Sequence, residues 1–298
     1  MSASEARIQL TIVGTGAMAC LFGARLAPVA QVVLTGSWIE AVAAIRDSGI
    51  VVEEDGKRTT ASLTAIPWSA AIEPADLALI LVKAWQTEEV ALHLERLLKP
   101  EGVALTLQNG LGNLEALGPR ACLGVTYSGA TLLGPGRVQP GGMGSTWIAG
   151  PEWIVQLFRR AGMEAERGAP DQIDGLLWGK LVVNCGINAL TALLRVPNGE
   201  LLQRPDAAYL MERAALECAD VAGAKGVDLP FADPAEKVRE VARLTATNRS
   251  SMLQDVLRGA PTECEAIHGA VAGWGKRLGV PTPVNEVLFR LVRASVTR

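Results

Sequence analysis

Lys180, Asn184 and Asn188 recur at i, i+4 and i+8 in the stretch LWGKLVVNCGINALTALLRVPNGELL, residues 177–202. Four residues of α-helix advance the chain by about 400°, so these side chains form one stripe that drifts about 40° per step. Leu181, Val182, Val183, Ile187, Leu190, Leu193 and Leu194 take up most of the remaining circumference. A helix that is apolar nearly all round is a buried one. A lysine there is paired or working, because buried ionisable groups cluster at sites. One amine and two amides, followed by Asn198 at the helix exit, make a polar binding strip. The alternative is a core helix whose amides bond nearby backbone and whose lysine snorkels to water.

A second constellation lies near the N-terminus. Residues 8–13, IQLTIV, read as a short apolar strand that runs into Gly14, Thr15, Gly16, Ala17, Met18 and Ala19. A helical pattern follows to Leu26 and stops before Pro28. Strand, Gly-x-Gly-x-x-Ala and helix in this order form the dinucleotide-binding arrangement. The first glycine allows the tight turn, the second admits the pyrophosphate to the backbone, and the small third residue lets helix pack on strand. The pyrophosphate then meets the free N–H groups of the helix N-terminus. The next strand, residues 31–34, is followed by Thr35, Gly36, Ser37 and Trp38, with no acid before Glu40. A carboxylate there would take a ribose 2′-hydroxyl. Its absence removes repulsion toward a 2′-phosphate, to which Thr35 and Ser37 could donate, and this favours NADP(H).

The elements that must carry these groups follow from the pattern. Residues 50–63 read as a strand pair turning at Asp55-Gly56, a strong hairpin signal. The all-apolar run 77–82 is a parallel strand covered on both faces, and it delivers Lys83 at its carboxyl end, where open α/β sheets bind ligands. The strand 103–107 likewise ends at Asn109, in Gln108-Asn109-Gly110, although Asn-Gly is also ordinary turn chemistry. Residues 121–126 are a further strand. The Gly- and Pro-rich stretch after it predicts hairpin turns at the edge of the sheet. Strand signals cease near Gly168, and the rest is helical, with a helix start expected at Pro261-Thr262-Glu263. The expectation is α/β: a Rossmann-type dinucleotide-binding domain over 1–168, then an all-helical domain over 169–298.

Composition excludes several classes. Of 298 residues, 49% are hydrophobic and 20% charged, enough for a large core without disulfides or metals. A net charge of −3 leaves no basic footprint for nucleic acid. No signal-like N-terminal segment and no apolar run of bilayer-spanning length is expected. Five scattered cysteines without C-x-x-C spacing read as buried thiols of a reducing compartment, and two histidines are too few for a metal cluster. The expectation is a metal-free cytoplasmic protein, with a homodimer left open.

Taken together, these motifs resemble the ketopantoate reductase family, the 2-dehydropantoate 2-reductases, over nearly the whole chain. The resemblance is carried by GTGAMA with Phe22-Gly23, Lys83-Ala84-Trp85 and Gln108-Asn109-Gly110-Leu111-Gly112. The more specific signals are Lys180-Leu181-x-x-Asn184-Cys185-x-x-Asn188, Pro197-Asn198-Gly199-Glu200-Leu201, Ser250-Ser251-Met252-Leu253-Gln254-Asp255 and Thr262-Glu263. It implies that Lys180 is the general acid and that Asn184, Asn188, Asn198 and Ser251 contact a small 2-oxo acid. It implies that Asn109 touches substrate and cofactor and that Ala130 and Glu263 lie on the cofactor side; as a neighbouring carboxylate, Glu263 could also hold the ammonium in place. The implied activity is NADPH-dependent reduction of 2-dehydropantoate to pantoate, toward coenzyme A. A reductase of another branched 2-oxo acid, or an NADP(H) sensor without turnover, are the alternatives. Two departures from the family pattern stand out: Ser37 where many members carry an arginine, and His268-Gly269 where Asn-Gly is common.

Overall fold

A computed structural model of the chain describes residues 7–295. Residues 1–6, part of the segment read above for targeting signals, lie outside the described residues. The chain forms two compact units. One runs up to Gln108 and resumes over Asn113–Ala169; the other comprises Asn109–Gly112 and everything from Pro170 onward.

The first unit opens with β1 (Gln9–Val13), α1 (Ala17–Leu26), β2 (Gln31–Gly36) and α2 (Ile39–Ser48). It continues through β3 (Ile50–Glu54), β4 (Lys57–Ala61), β5 (Thr64–Pro67), β6 (Ala75–Ile80), α3 (Thr87–Ala91), α4 (Leu94–Leu97) and β7 (Leu98–Thr106). Then come α5 (Asn113–Leu117), β8 (Ala121–Thr126), β9 (Ala130–Gly134), β10 (Arg137–Pro140), β11 (Thr146–Ala149), α6 (Glu152–Arg160) and β12 (Ala165–Arg167). Eight strands form the main sheet in the order β12-β11-β8-β7-β6-β1-β2-β5. Its pairs are parallel except β11 against β8. Leu10, Ile12, Leu34, Leu77, Leu79 and Leu105 are buried in it, as expected of strands with both faces covered.

Three expectations change here. The turn-rich stretch after β8 does form a hairpin, β9 with β10, but not at the edge of the main sheet. It joins the β3-β4 hairpin in a separate four-stranded sheet, β4-β3-β10-β9. The cause is long-range pairing of β10 with β3, which no local signal contains. Strand β5 carries no clear local signal, because TAIP is short and ends in proline, a residue confined to strand ends and edges. Strand β7 begins at Leu98, ahead of the expected start, and runs through Pro100 and Gly102. The Asp55-Gly56 turn is present with φ of +50° and +73° at the two residues, the left-handed pair that this hairpin type requires.

The second unit is helical: α7 (Pro170–Leu194), a 3₁₀ turn (Asn198–Gln203), α8 (Pro205–Lys225), α9 (Pro234–Leu244) and α10 (Ser251–Leu257). A π-helical turn (Glu265–Gly269), α11 (Ala270–Leu278) and α12 (Pro283–Ser295) complete it. By length and composition α7 is apolar enough to cross a membrane, contrary to the expectation from sequence, yet 72% of its apolar window is buried inside the protein. It is the core helix of this unit. Gly186 stands mid-helix, where glycine costs up to about 1 kcal/mol. A Cβ there would run into Val238 of α9 and the Met211 carbonyl of α8, so the glycine lets three helices approach closely.

Candidate active site

The glycine-rich turn of the first unit is built mostly from backbone. Gly14 has φ +132°, and a Cβ there would lie 2.8 Å from the Leu81 carbonyl oxygen; only glycine fits. Its N–H donates to the Thr35 carbonyl at 2.8 Å, tying the turn to the end of β2. At Gly16 a Cβ would meet nothing within 4 Å, leaving room for a bulky group against the backbone. Gly16 caps α1 with no side-chain hydrogen bond, and no acid occupies the first turn. The first N–H groups of α1 are therefore not consumed by a side-chain cap or repelled by a neighbouring carboxylate, which suits a pyrophosphate. Thr15 and Ala19 are buried, while Ala17 and Met18 are half-buried and pack against the core.

The ribose end of the site differs from expectation. Strand β2 continues through Gly36, so Thr35 lies inside the sheet, fully buried. Its Oγ1 has no partner among the described residues and does not reach a surface where a phosphate could sit. Ser37 is exposed at the strand's end and remains the one hydroxyl of that pair available to a ligand. Ala130 is the first residue of β9 and packs on the core of this unit.

Lys83 is half-buried and caps the 3₁₀ turn Ala84–Gln86 that follows β6. The loop carrying it is held by side chains outside the predicted site residues. Gln108 Nε2 donates to the Val82 carbonyl at 2.8 Å and to Thr87 Oγ1 at 2.9 Å. Gln108 Oε1 accepts from Thr106 Oγ1 at 2.9 Å, and Thr87 Oγ1 donates to Asn113 Oδ1 at 2.8 Å. This buried chain fixes the ends of β6 and β7 with respect to each other. The available signal was a glutamine closing an apolar strand, since a buried amide requires partners. Asn109 follows directly and begins the four residues that belong to the helical unit. There the Leu111 N–H donates to the Ala266 carbonyl at 2.9 Å.

In the helical unit, the stripe predicted from spacing lies on α7. Lys180 and Asn184 are half-buried and Asn188 is buried. Burial pushes the Lys180 ammonium down to about 8, opposed by the negative charge of Glu263. Glu263 is itself only 7% exposed, so the structure brings this lysine and this carboxylate into one electrostatic environment. The expected helix start at Pro261 is displaced: ordered helix begins at Glu265 with the π-turn, which leaves Glu263 in the segment leading into it.

Asn198 is 7% exposed. Its Nδ2 donates to Thr245 Oγ1 at 2.9 Å, whereas its Oδ1 is buried with no partner among the described residues. Such an acceptor is costly to leave unpaired and is suited to a ligand hydroxyl. The backbone around it is held by the Asn198 N–H to Asn248 carbonyl and the Gly199 N–H to Ala246 carbonyl bonds, both 3.0 Å. Ser250 caps α10 by accepting from the Leu253 N–H at 3.1 Å, and lies 2.7 Å from Thr191 Oγ1 of α7. A cap of this kind contributes about 1 kcal/mol. It also ties Ser251, the first residue of α10, to the helix that carries the stripe. Among the described residues no group of three or more His, Cys, Asp or Glu side chains could hold a metal ion.

A glycine turn shaped for a pyrophosphate and a helical unit carrying a charged, amide-lined stripe define a dinucleotide-binding oxidoreductase. The comparisons with known proteins agree. Residues 10–152 match the ketopantoate reductase PanE/ApbA family and residues 172–296 match its C-terminal part; the chain belongs to this family. A 2-dehydropantoate 2-reductase of Archaeoglobus fulgidus is 40% identical over 232 residues, 74% of this chain and 76% of the relative. The counterpart from Halobacterium salinarum is 35% identical over 302 residues, 96% and 98% of the two chains. Among solved structures, a PanE/ApbA family ketopantoate reductase from Ralstonia eutropha JMP134 superposes with a TM-score of 0.88 at 32% identity, covering 97% of this chain and 98% of the other. D-mandelate dehydrogenase in a ternary complex with NADH and anilino(oxo)acetate gives 0.89 at 28% identity, with the same coverage.

Proposed function

We propose that the protein reduces 2-dehydropantoate to pantoate with NADPH, a step toward coenzyme A. The observation that carries this reading is the pairing of a half-buried lysine, on a helix striped with amides, with a buried glutamate in a chain of this family. The residues assigned to dinucleotide binding are Gly14–Ala19, Ser37, Lys83 and Ala130 in the first unit and Asn109 and Glu263 in the second. When bound, the dinucleotide supplies the hydride that reduces the ketone carbon.

The protein's own part is orientation, charge and a proton. Lys180, cationic below about pH 8, sits where the ketone oxygen becomes an alkoxide and stabilises that charge before giving it a proton. This electrostatic contribution commonly outweighs the proton transfer. Glu263 holds the ammonium in place and keeps its pKa from falling further. Asn109, Asn184, Asn188 and Ser251 are neutral donors for the carboxylate and hydroxyl of the substrate. Asn198 offers its unpaired Oδ1 to that hydroxyl as an acceptor.

The likeness to D-mandelate dehydrogenase supports a second reading on the same scaffold, reduction of another 2-oxo acid. A panel of 2-oxo acids, including 2-dehydropantoate and an aryl 2-oxo acid, assayed with NADPH and with NADH in parallel, decides between them. The highest kcat/KM is expected for 2-dehydropantoate with NADPH. A higher value for an aryl acid would select the second reading. Dinucleotide binding with no turnover of any acid would make the protein a sensor.

A further inference from the structure

His268 takes no part in the chemistry proposed above, yet it is fully buried on the π-turn that begins two residues after Glu263. Its Nδ1 lies 2.9 Å from Asn285 Oδ1. The other half of Asn285 assigns the roles in this contact. Asn285 Nδ2 donates to the Ala214 carbonyl and to Glu217 Oε2, both at 2.9 Å, so Oδ1 is an acceptor and His268 Nδ1 carries the hydrogen. Glu217 is 2% exposed and also accepts the Val284 and Asn285 N–H groups, each at 2.9 Å. Its negative charge therefore sits at the N-terminus of α12, where the helix dipole favours it. His268, Asn285 and Glu217 form one hydrogen-bonded line through α12 to α8. Burial pushes the imidazole down to about 4, so the ring stays neutral near pH 7. Protonation would place an N–H at Nε2, which is buried with no partner among the described residues.

The π-turn connects this line to the acidic residue. The Gly269 N–H donates to the Cys264 carbonyl at 3.0 Å, and the Ile267 N–H to the Glu263 carbonyl at 3.1 Å. A π-turn is rare, recurs at functional sites and is less favourable than continued α-helix, so something outside it must hold it. The Leu111 N–H holds its backbone at the Ala266 carbonyl, and a buried side-chain anchor is the His268–Asn285 bond. We propose that His268 is a positioning residue: through Asn285 and Glu217 it holds the π-turn that sets the Glu263 carboxylate toward Lys180. This inference rests on the proposed pairing of Lys180 with Glu263 in catalysis. The charged and titratable groups around the turn are Lys180 of α7, Glu217 of α8, Arg293 of α12, Cys264 just before the turn and Glu265 within it. Of these, Lys180 is the one whose proton the reaction uses. If the turn relaxes, Lys180 loses part of the negative charge that supports its protonation, and activity should decay at a lower pH.

Three substitutions in the full chain test the idea. His268→Asn places an amide nitrogen where Nδ1 stood, His268→Gln places it where Nε2 stood, and His268→Leu removes it. For each, kcat is measured against pH with saturating NADPH and 2-dehydropantoate, with melting temperature alongside and Glu263→Gln as control. The Leu and Gln variants are expected to lose roughly tenfold to a hundredfold in kcat, the scale of a small misplacement. Their alkaline limb should move down by about one pH unit, with KM for NADPH unchanged, and His268→Asn should restore the wild-type limb. If Leu does not fold, the Asn and Gln pair carries the comparison. An Asn variant that unfolds or shifts like Gln overturns the inference, because packing would then be the cause. A folded Gln variant with the wild-type limb overturns it too, provided that Glu263→Gln moves the limb. If Glu263→Gln leaves the limb in place, the pairing of Lys180 with Glu263 is what has failed.

Discussion

The glycine turn of the first unit and the polar stripe of the second are suited to binding by opposite means. Around Gly14 and Gly16 the working groups are backbone N–H groups, and the sequence contributes chiefly by omitting side chains: a Cβ at Gly14 would collide with the Leu81 carbonyl, and none occupies the space at Gly16. Along α7 the groups on offer are the side chains of Lys180, Asn184 and Asn188, set in an apolar helix whose surroundings change what they can do. A backbone site is insensitive to pH and intolerant of added atoms. A side-chain site in a low-dielectric setting is tunable, since burial and Glu263 pull the Lys180 proton in opposite directions. On the function proposed above, phosphate recognition rests on the backbone device and chemistry on the side-chain device.

The strongest way to break this contrast is Lys180→Ala. It is expected to lower kcat by roughly 10²–10⁴, the range for losing a positioned proton donor, while dinucleotide affinity holds. Steady-state kinetics together with NADPH titration check it; turnover within about threefold of wild type in a folded variant, under 1 kcal/mol of barrier, is incompatible with the assignment. Lys180→Arg should recover only part, because arginine keeps the charge but does not release its proton.

Gly14→Ala attacks the other device. The left-handed φ and the close Leu81 carbonyl predict a loss of about 1–3 kcal/mol of stability and weaker NADPH binding, read from denaturant unfolding and a binding titration. An alanine variant with wild-type stability and affinity would mean that the turn is looser than its geometry implies.

The pH dependence separates the two without mutation. Because the folded Lys180 pKa lies near 8, below the ordinary lysine value, the ammonium is present below pH 8 and is lost as pH rises through it. Activity under saturation should therefore fall about tenfold per unit above pH 8, while the NADPH dissociation constant stays flat from pH 7 to about pH 9. A dissociation constant that follows the same curve would place titrating side chains in the phosphate site. The smallest effect is expected from Ser37→Ala: a loss of about threefold to tenfold in kcat/KM for NADPH but not NADH, the worth of one hydrogen bond. Equal losses with both cofactors would remove Ser37 from contact with the 2′-phosphate.

The sequence by itself determined whatever depends on spacing along one element. The i, i+4, i+8 recurrence places Lys180, Asn184 and Asn188 on one face because helical geometry is the same in any context. Gly14 and Gly56 stand at φ of +132° and +73°, values that glycine adopts most easily. Tertiary structure decided what depends on partners far away in the chain. It buried Thr35 in β2 and so removed a hydroxyl that sequence had offered to a phosphate. It moved the β9-β10 hairpin to a second sheet by pairing β10 with β3, 84 residues apart in the Arg137–Glu53 ion pair. It gave Gln108 its role by presenting the Val82 carbonyl and Thr87, and His268 its role by presenting Asn285. Local pattern specifies backbone conformation through short-range sterics, whereas burial, ionisation and hydrogen-bond partnership are set by neighbours that only the folded chain brings together.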